Sequence, residues 1–302
     1  MYVYRGNIYC SDDSKKNILE RGSHFYQIKP LSNKSIKSKG GNSNVFQLID
    51  PNDDINPCVI KFNKFKLESK EDWKKQRIER FEREIRSLEQ AREAGFENVI
   101  QIIFDGSLKI GSGHYCYYVM EKADYDLTEY LEENEISVQQ KILLCYEILK
   151  GIVQLHSLNI YHRDIKPDNI FIVNDKWKIG DLGLIDFQNS DLSIDIIREK
   201  IGPYGWLSPE AMNKVLCEGT SREGTFNCEI KSYSDIFQLG KLFWYIFQGN
   251  IPIGQIIKKD FLLGDENIFE ILFSMLQYLD SRRPILNNIS SEFERSFKKY
   301  AV

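Results

Sequence analysis

The chain has 302 residues, room for about two domains at roughly 150 residues each. Apolar residues make up 42%, charged residues 28% and aromatics 13%, which excludes a collagen-like, low-complexity or wholly disordered chain. With 40 Lys+Arg against 44 Asp+Glu the net charge is −4, so the global basic field of a nucleic-acid binder is missing. The eight Lys/Arg against three acids in residues 1–40 read as a solvated face near a terminus. Six cysteines occur, none in a C-x-x-C pair or at metal-ligand spacing, and Cys58, Cys116 and Cys145 sit in apolar runs as small core residues. Met1–Asp13 lacks the pattern of a signal peptide, and no run of 18 apolar residues exists. The expectation is a soluble, cytoplasmic protein with no membrane span and no nucleic-acid partner.

In chain order, short β-prone runs at Phe25–Ile28, Val45–Ile49 and Cys58–Phe62 are punctuated by Gly, Asn, Pro and Asp. From Glu68 to Glu97 the pattern becomes helical, with Trp73, Ile78, Phe81, Ile85 and Leu88 at helical spacing among charges. Val99–Phe104 and His114–Met120 predict an antiparallel pair joined near Gly111-Ser112-Gly113. After Met120 helix dominates. Ser137 and Gln140 form a capping box opening Val138–Leu158, whose Ile142, Ile148, Ile152 and Leu155 make an apolar stripe. Short strands are predicted at Ile170–Val173 and Trp177–Ile179, and helices at Asp235–Gln248 and Asn267–Asp280. The polar stretch Asn213–Lys231, with Gly219 and Gly224, reads as a surface insertion. These elements divide as an N-terminal extension over 1–24, a β-rich domain with one long helix over 25–121, and a mainly helical domain over 122–302.

The sharpest chemical feature is Tyr161-His162-Arg163-Asp164-Ile165-Lys166-Pro167-Asp168-Asn169, followed twelve residues later by Asp181-Leu182-Gly183. Moving a γ-phosphoryl group needs positioning and charge stabilisation more than covalent help. Asp164 can accept a hydroxyl proton and Lys166 can neutralise charge on the moving group. Asn169 and Asp181 supply hard oxygen ligands of the kind Mg²⁺ takes.

These residues resemble the eukaryotic-type protein kinase family. His162-Arg163-Asp164-x-x-x-x-Asn169 is similar to its catalytic loop, and Asp181-Leu182-Gly183 to its magnesium loop, with Leu182 in place of Phe. The resemblance implies an α+β, bilobal protein-kinase fold: a small β-rich N-lobe with one long helix and a larger, mainly helical C-lobe. It implies ATP and Mg²⁺ (or Mn²⁺) as cofactors and a protein substrate. Val59-Ile60-Lys61 looks like the third-strand motif whose Lys reaches the α/β-phosphates, with Glu84, or alternatively Glu82, as its partner. Glu79 with Arg83 and Glu82 with Arg86 read as helical i,i+4 pairs.

Ser38, Gly40, Gly41, Ser43 and Val45 align in part with the glycine-rich phosphate loop, 21 residues before Lys61 at Gly40. The wording there also resembles spindle-checkpoint dual-specificity kinases. Met120, Glu121 and Ala123 fall where the family's hinge binds adenine, and Phe171 is expected beside the nucleotide. Ser208-Pro209-Glu210 resembles the A-P-E motif, with Arg283 as the family partner of Glu210. Asp235 resembles the acid that braces the catalytic loop. Asp186-Phe187 mimics a magnesium loop but lies 17 residues past Asn169 and lacks Gly.

The implied function is transfer of the γ-phosphoryl of ATP to Ser/Thr hydroxyls, with Tyr as a further acceptor. Pro203, standing where the family's Ser/Thr members place Thr, leaves acceptor preference open. The alternatives are a pseudokinase scaffold and a small-molecule phosphotransferase. In the family, the Arg before the catalytic Asp helps hold a phosphorylated activation segment, here Asp181 to Glu210. Ser190 or Ser193 could carry that phosphate, paired with Arg163 and a second base such as Lys178 or Arg198. Equally, Asp191 or Asp195 could already supply the charge.

Overall fold

The structure, a computed structural model, describes residues 1–31, 42–50, 53–187, 195 and 199–300. The chain divides into two compact units, Met1–Gly95 with Ile100–Asp124, and Phe96–Val99 with Tyr125–Val302.

The first unit opens with a hairpin of β1 (Tyr2–Tyr4) and β2 (Asn7–Tyr9), then β3 (Ile18–Arg21), β4 (His24–Lys29), β5 (Ser43–Asp50) and β6 (Asp53–Asn63). Helix α1 (Asp72–Glu93) follows, then β7 (Ile102–Ile110) and β8 (Gly113–Glu121). Six strands form one sheet in the order β3-β4-β5-β6-β8-β7, all neighbours antiparallel. Residues alternate faces along each strand. Ile60, Phe62, Phe46, Leu48, Tyr117 and Val119 contribute to one apolar core, whereas Lys61 shares its face with α1 residue Glu84.

The stretch 1–24, read from sequence as an extension, carries β1 to β3. Ile8 and Leu19 are each 1% exposed in the sheet's core, and the Ile8 N–H donates to Asn44 Oδ1 at 3.1 Å. Polar surroundings hide these residues from a periodicity reading because single apolar positions plug the core. Helix α1 starts at Asp72 and not at Glu68, since Lys66–Ser69 closes a turn through the Ser69 N–H on the Lys66 carbonyl. Cys58 and Cys116 are half-buried, and of the three expected core cysteines only Cys145 is fully enclosed.

The second unit contains β9 (Tyr125–Asp126), α2 (Leu127–Glu133), α3 (Val138–Ser157), β10 (Ile160–Tyr161), β11 (Ile170–Val173), β12 (Lys176–Ile179) and β13 (Asp186–Phe187). It continues with α4 (Pro209–Cys217), α5 (Ser232–Gln248), α6 (Glu266–Met275) and α7 (Leu286–Tyr300). The capping box forms as read, with the Gln140 N–H on Ser137 Oγ at 3.2 Å and the Ser137 N–H on Gln140 Oε1 at 2.8 Å. The stripe of α3, from Ile142 to Leu155, is buried throughout. Gly249, at φ 76°, ends α5 in the left-handed conformation that glycine adopts without steric cost. Helix α7 escaped the sequence reading; Ile289 and Phe293 anchor it, Phe293 meeting Phe243 at 5.1 Å between centroids.

The expected surface loop at Asn213–Lys231 is shorter than read. Asn213 to Cys217 belong to α4, whose Lys214 and Cys217 are buried, so the irregular stretch runs from 218 to 231. Among the described residues no helix is long and apolar enough to cross a membrane.

Candidate active site

In the first unit, Lys61 on β6 reaches Glu84 on α1. Its Nζ lies 2.8 Å from Glu84 Oε1, with the two side chains 9% and 2% exposed. Tyr118 on β8 donates its hydroxyl to the same oxygen at 2.9 Å. The choice between Glu84 and Glu82 thus falls to Glu84, which shares the buried face of α1 with Ile85 and Leu88. Arg83 and Glu79 form the expected i,i+4 pair at 3.7 Å. Val45 stands opposite Lys61 in the register of β5 and β6, Ser43 opens β5, and Val59 is buried two residues before Lys61. Met120 and Glu121 end β8, Ala123 follows, and Glu121 Oε1 accepts the Gln101 N–H at 2.7 Å. Ser38, Gly40 and Gly41 lie outside the described residues.

In the second unit, residues 162–169 and 180–181 form a polar cluster. Asp164 is 6% exposed, and its Oδ2 accepts from Lys166 Nζ at 2.7 Å and Asn169 Nδ2 at 3.0 Å. Asn169 also donates to the Asp164 carbonyl at 2.8 Å. Asp164 Oδ1 is buried with no hydrogen-bond partner among the described residues. Burial pushes the Asp164 carboxyl above its ordinary value, against the opposing pull of Lys166; Asp181 adds to the rise. Asp181 is exposed and has φ 54°, a left-handed backbone that non-glycine residues adopt only where the fold compels it. Leu182, beside it, is fully buried, so the unusual residue is an apolar plug. Phe171 sits on β11 opposite Lys178 and Asp126.

The loop is held from below by α5. Asp235 accepts the backbone N–H groups of His162 and Arg163, both at 2.8 Å, and lies 2.8 Å from His156 Nε2. Burial alone would raise this carboxyl, but the His156 hydrogen bond and the neighbouring donors outweigh it and hold it below its ordinary value. Gln238, one turn further, accepts the Ile165 N–H at 3.0 Å and donates to the Arg163 carbonyl at 3.1 Å. Neither Gln238 nor His156 carries a motif that would assign it to the site from sequence. Their spacing from Asp235 and from the loop carries no local signal.

Arg163, with a 2% exposed side chain, pairs with Asp186 at 3.2 Å and with Asp195. Asp186, set aside in sequence as a mimic, is therefore a partner of Arg163. Ser190, Ser193, Asp191 and Arg198 lie outside the described residues. Glu210 at the start of α4 pairs with Arg283 at 2.8 Å, both enclosed, and Ser234 adds its hydroxyl to Glu210 at 3.1 Å.

This constellation of loop, brace and buried ion pairs is that of a phosphotransferase domain, and the chain belongs to the protein kinase domain family, whose family model matches residues 34–300. Among curated proteins it is 27% identical over 222 residues to the mouse "Dual specificity protein kinase TTK", covering 73% of this chain and 24% of that one. It is 28% identical over 215 residues to the Schizosaccharomyces pombe "Sensor for unfolded proteins in the ER ire1", covering 58% and 20%. It is 33% identical over 151 residues to the Dictyostelium discoideum "Probable serine/threonine-protein kinase ireA", covering 46% and 14%. The chain therefore spans about a quarter or less of the length of these relatives.

Proposed function

We propose that the chain is an ATP-dependent protein kinase that transfers the γ-phosphoryl group to serine and threonine hydroxyls of protein substrates. The observation that carries this reading is the Asp164 carboxylate, buried, with Lys166 and Asn169 both on one oxygen. Asp164 takes the proton of the attacking hydroxyl as its oxygen bonds to the γ-phosphorus and ADP departs. Lys166 neutralises charge on the moving group. Lys61, oriented by Glu84, steadies the α/β-phosphates, and Ser43, Val45, Val59, Met120, Glu121, Ala123 and Phe171 bound the nucleotide. The relatives described as dual-specificity kinases support keeping tyrosine as a further acceptor.

The donor set suits Mg²⁺. Asn169 spends its amide nitrogen on Asp164, which leaves its amide oxygen as the ligand, and Asp181 offers an exposed carboxylate. Among the described residues no group of three His, Cys, Asp or Glu side chains could hold a metal alone. Mg²⁺ commonly takes one or two protein oxygens and completes its shell from phosphate and water, a role open to Asn169 and Asp181. Asn169 and Asp181 would hold the ion, which would supply positive charge to offset that of the phosphates.

The test is incubation with labelled ATP and Mg²⁺, followed by mapping of labelled residues on the protein and on generic protein substrates. Label on serine or threonine supports the reading. ATP binding without transfer would favour a pseudokinase scaffold, and label passing only to small molecules would favour a small-molecule phosphotransferase.

A further inference from the structure

Trp73, in the first turn of α1, is 52% exposed, while Trp177, Trp206 and Trp244 are 7%, 8% and 4% exposed. Its ring meets Phe65 edge-on at 5.2 Å, and Leu67 is 39% exposed beside them in sequence. The loop carrying these side chains is pinned. The Leu67 N–H donates to the His114 carbonyl at 2.8 Å, the Phe65 N–H to Asn63 Oδ1 at 2.8 Å, and the Ser69 hydroxyl to the Lys66 carbonyl at 2.6 Å. The apolar step is therefore preformed, which lowers the ordering cost of binding.

Charge accompanies it. Residues 64–77 hold six Lys/Arg against three Asp/Glu, a local +3 in a chain of net −4. The three acids are already engaged: Glu68 with His114 at 2.6 Å, Glu71 with Lys74 at 2.6 Å and Asp72 with Lys75 at 3.2 Å. The His114 hydrogen bond, with the backbone N–H groups around it, holds the Glu68 carboxyl down to about 2. Lys66 and Lys70 are exposed and make no ion pair among the described residues. Lys74 Nζ lies over the Trp73 ring at 5.4 Å. A large exposed aromatic with uncompensated cations around it has the chemistry of a recognition surface.

We propose that Trp73, Phe65 and Leu67, with Lys66 and Lys70, form a docking surface for an acidic peptide segment that presents a large apolar side chain. The apolar side chain covers Trp73 and Leu67 while its flanking carboxylates meet Lys66 and Lys70. A continuous phosphate track is a poorer fit, because Glu68, Glu71 and Asp72 interrupt the basic surface, whereas discrete carboxylates can be spaced around them. The same helix carries Glu84 three turns further on, so the docked segment and the Lys61–Glu84 pair share one rigid element.

The test uses the full chain and the only exposed tryptophan as its reporter, with no kinase assay in the readout. A synthetic Glu/Asp-rich peptide with two phenylalanines is titrated in. The expected result is a blue shift of Trp73 emission, protection from acrylamide quenching, and affinity that falls with salt. A Phe→Ala version of the peptide and the Lys66→Glu/Lys70→Glu variant should each weaken binding about tenfold or more. Trp73→Ala, followed by calorimetry, should lose binding while keeping its thermal melt. No emission change, unaltered affinity in the double variant, or preference for anionic vesicles, a single-stranded oligonucleotide or a second copy of the chain would overturn the proposal.

Discussion

Asp235 holds the backbone N–H of Arg163 at 2.8 Å across 72 residues of sequence, its other oxygen taking the N–H of His162. The carboxylate is fully buried, so these hydrogen bonds have no competing water. Asp235→Asn puts an amide where both donors need an acceptor. Loss of a buried charged partner costs about 3–5 kcal/mol, and urea denaturation should show a drop of that order. The carboxyl is held below its ordinary value, so its stabilisation is full above the unfolded aspartate pKa of about 4 and is lost as pH falls through the folded value. The wild-type and variant stabilities should therefore converge in acid.

Asp164→Asn should lower phosphoryl transfer by about 10²–10⁴, the usual worth of a general base, with ATP affinity kept. Burial raises the Asp164 carboxyl, so the base is lost to protonation at a higher pH than an ordinary aspartate would be. The acid limb of kcat/KM in the wild type should lie correspondingly above the ordinary aspartate range. Wild-type turnover in the variant would remove Asp164 from the chemistry.

Arg163 is enclosed and meets two carboxylates, Asp186 and Asp195. A guanidinium so paired needs no phosphate to neutralise it. The expectation is full activity in unphosphorylated protein, checked by mass spectrometry beside the assay, and unchanged activity in the Ser190→Ala/Ser193→Ala double variant. Asp195→Asn should instead lower activity at least several-fold by leaving the buried charge under-compensated. Dependence of the wild type on phosphorylated Ser190 or Ser193 would reverse this reading.

Residues 218–231 are tied to the elements around them by Asn213 Nδ2 on the Asn227 carbonyl at 3.0 Å, Asn227 Nδ2 on Asp280 at 3.0 Å, Lys214 Nζ on Glu218 at 2.8 Å and the Tyr233 hydroxyl on the Glu229 carbonyl at 3.2 Å. Replacing 218–230 with a short Gly/Ser linker should leave ATP binding and autophosphorylation intact, because Glu210–Arg283 and the Asp235 brace lie outside the segment. Collapse of the thermal melt would show that the segment belongs to the folded core. Loss of transfer to one protein substrate alone would mark it as a docking element.

The sequence by itself determined the chemistry-bearing loop, since Asp164, Lys166, Asn169 and Asp181 lie within eighteen residues and their spacing is a local property. It also determined most elements of α3, α5, β11 and β12, because apolar periodicity reports which face is buried. Tertiary structure decided what periodicity cannot express, namely which partner a buried face meets. Glu82 and Glu84 both stand on α1, and only the packing of α1 on β6 and β8 brings Glu84 to Lys61 and Tyr118. The same holds for His156, Gln238 and Asp186, ordinary polar residues in sequence that the fold turns toward one short loop and its arginine. It holds too for Ile8 and Leu19, isolated apolar residues in a polar N-terminus that become core only where a sheet lies beneath them. Contacts between residues tens of positions apart pay their loop entropy through burial shared across the whole unit, and that sum is not written in any local window.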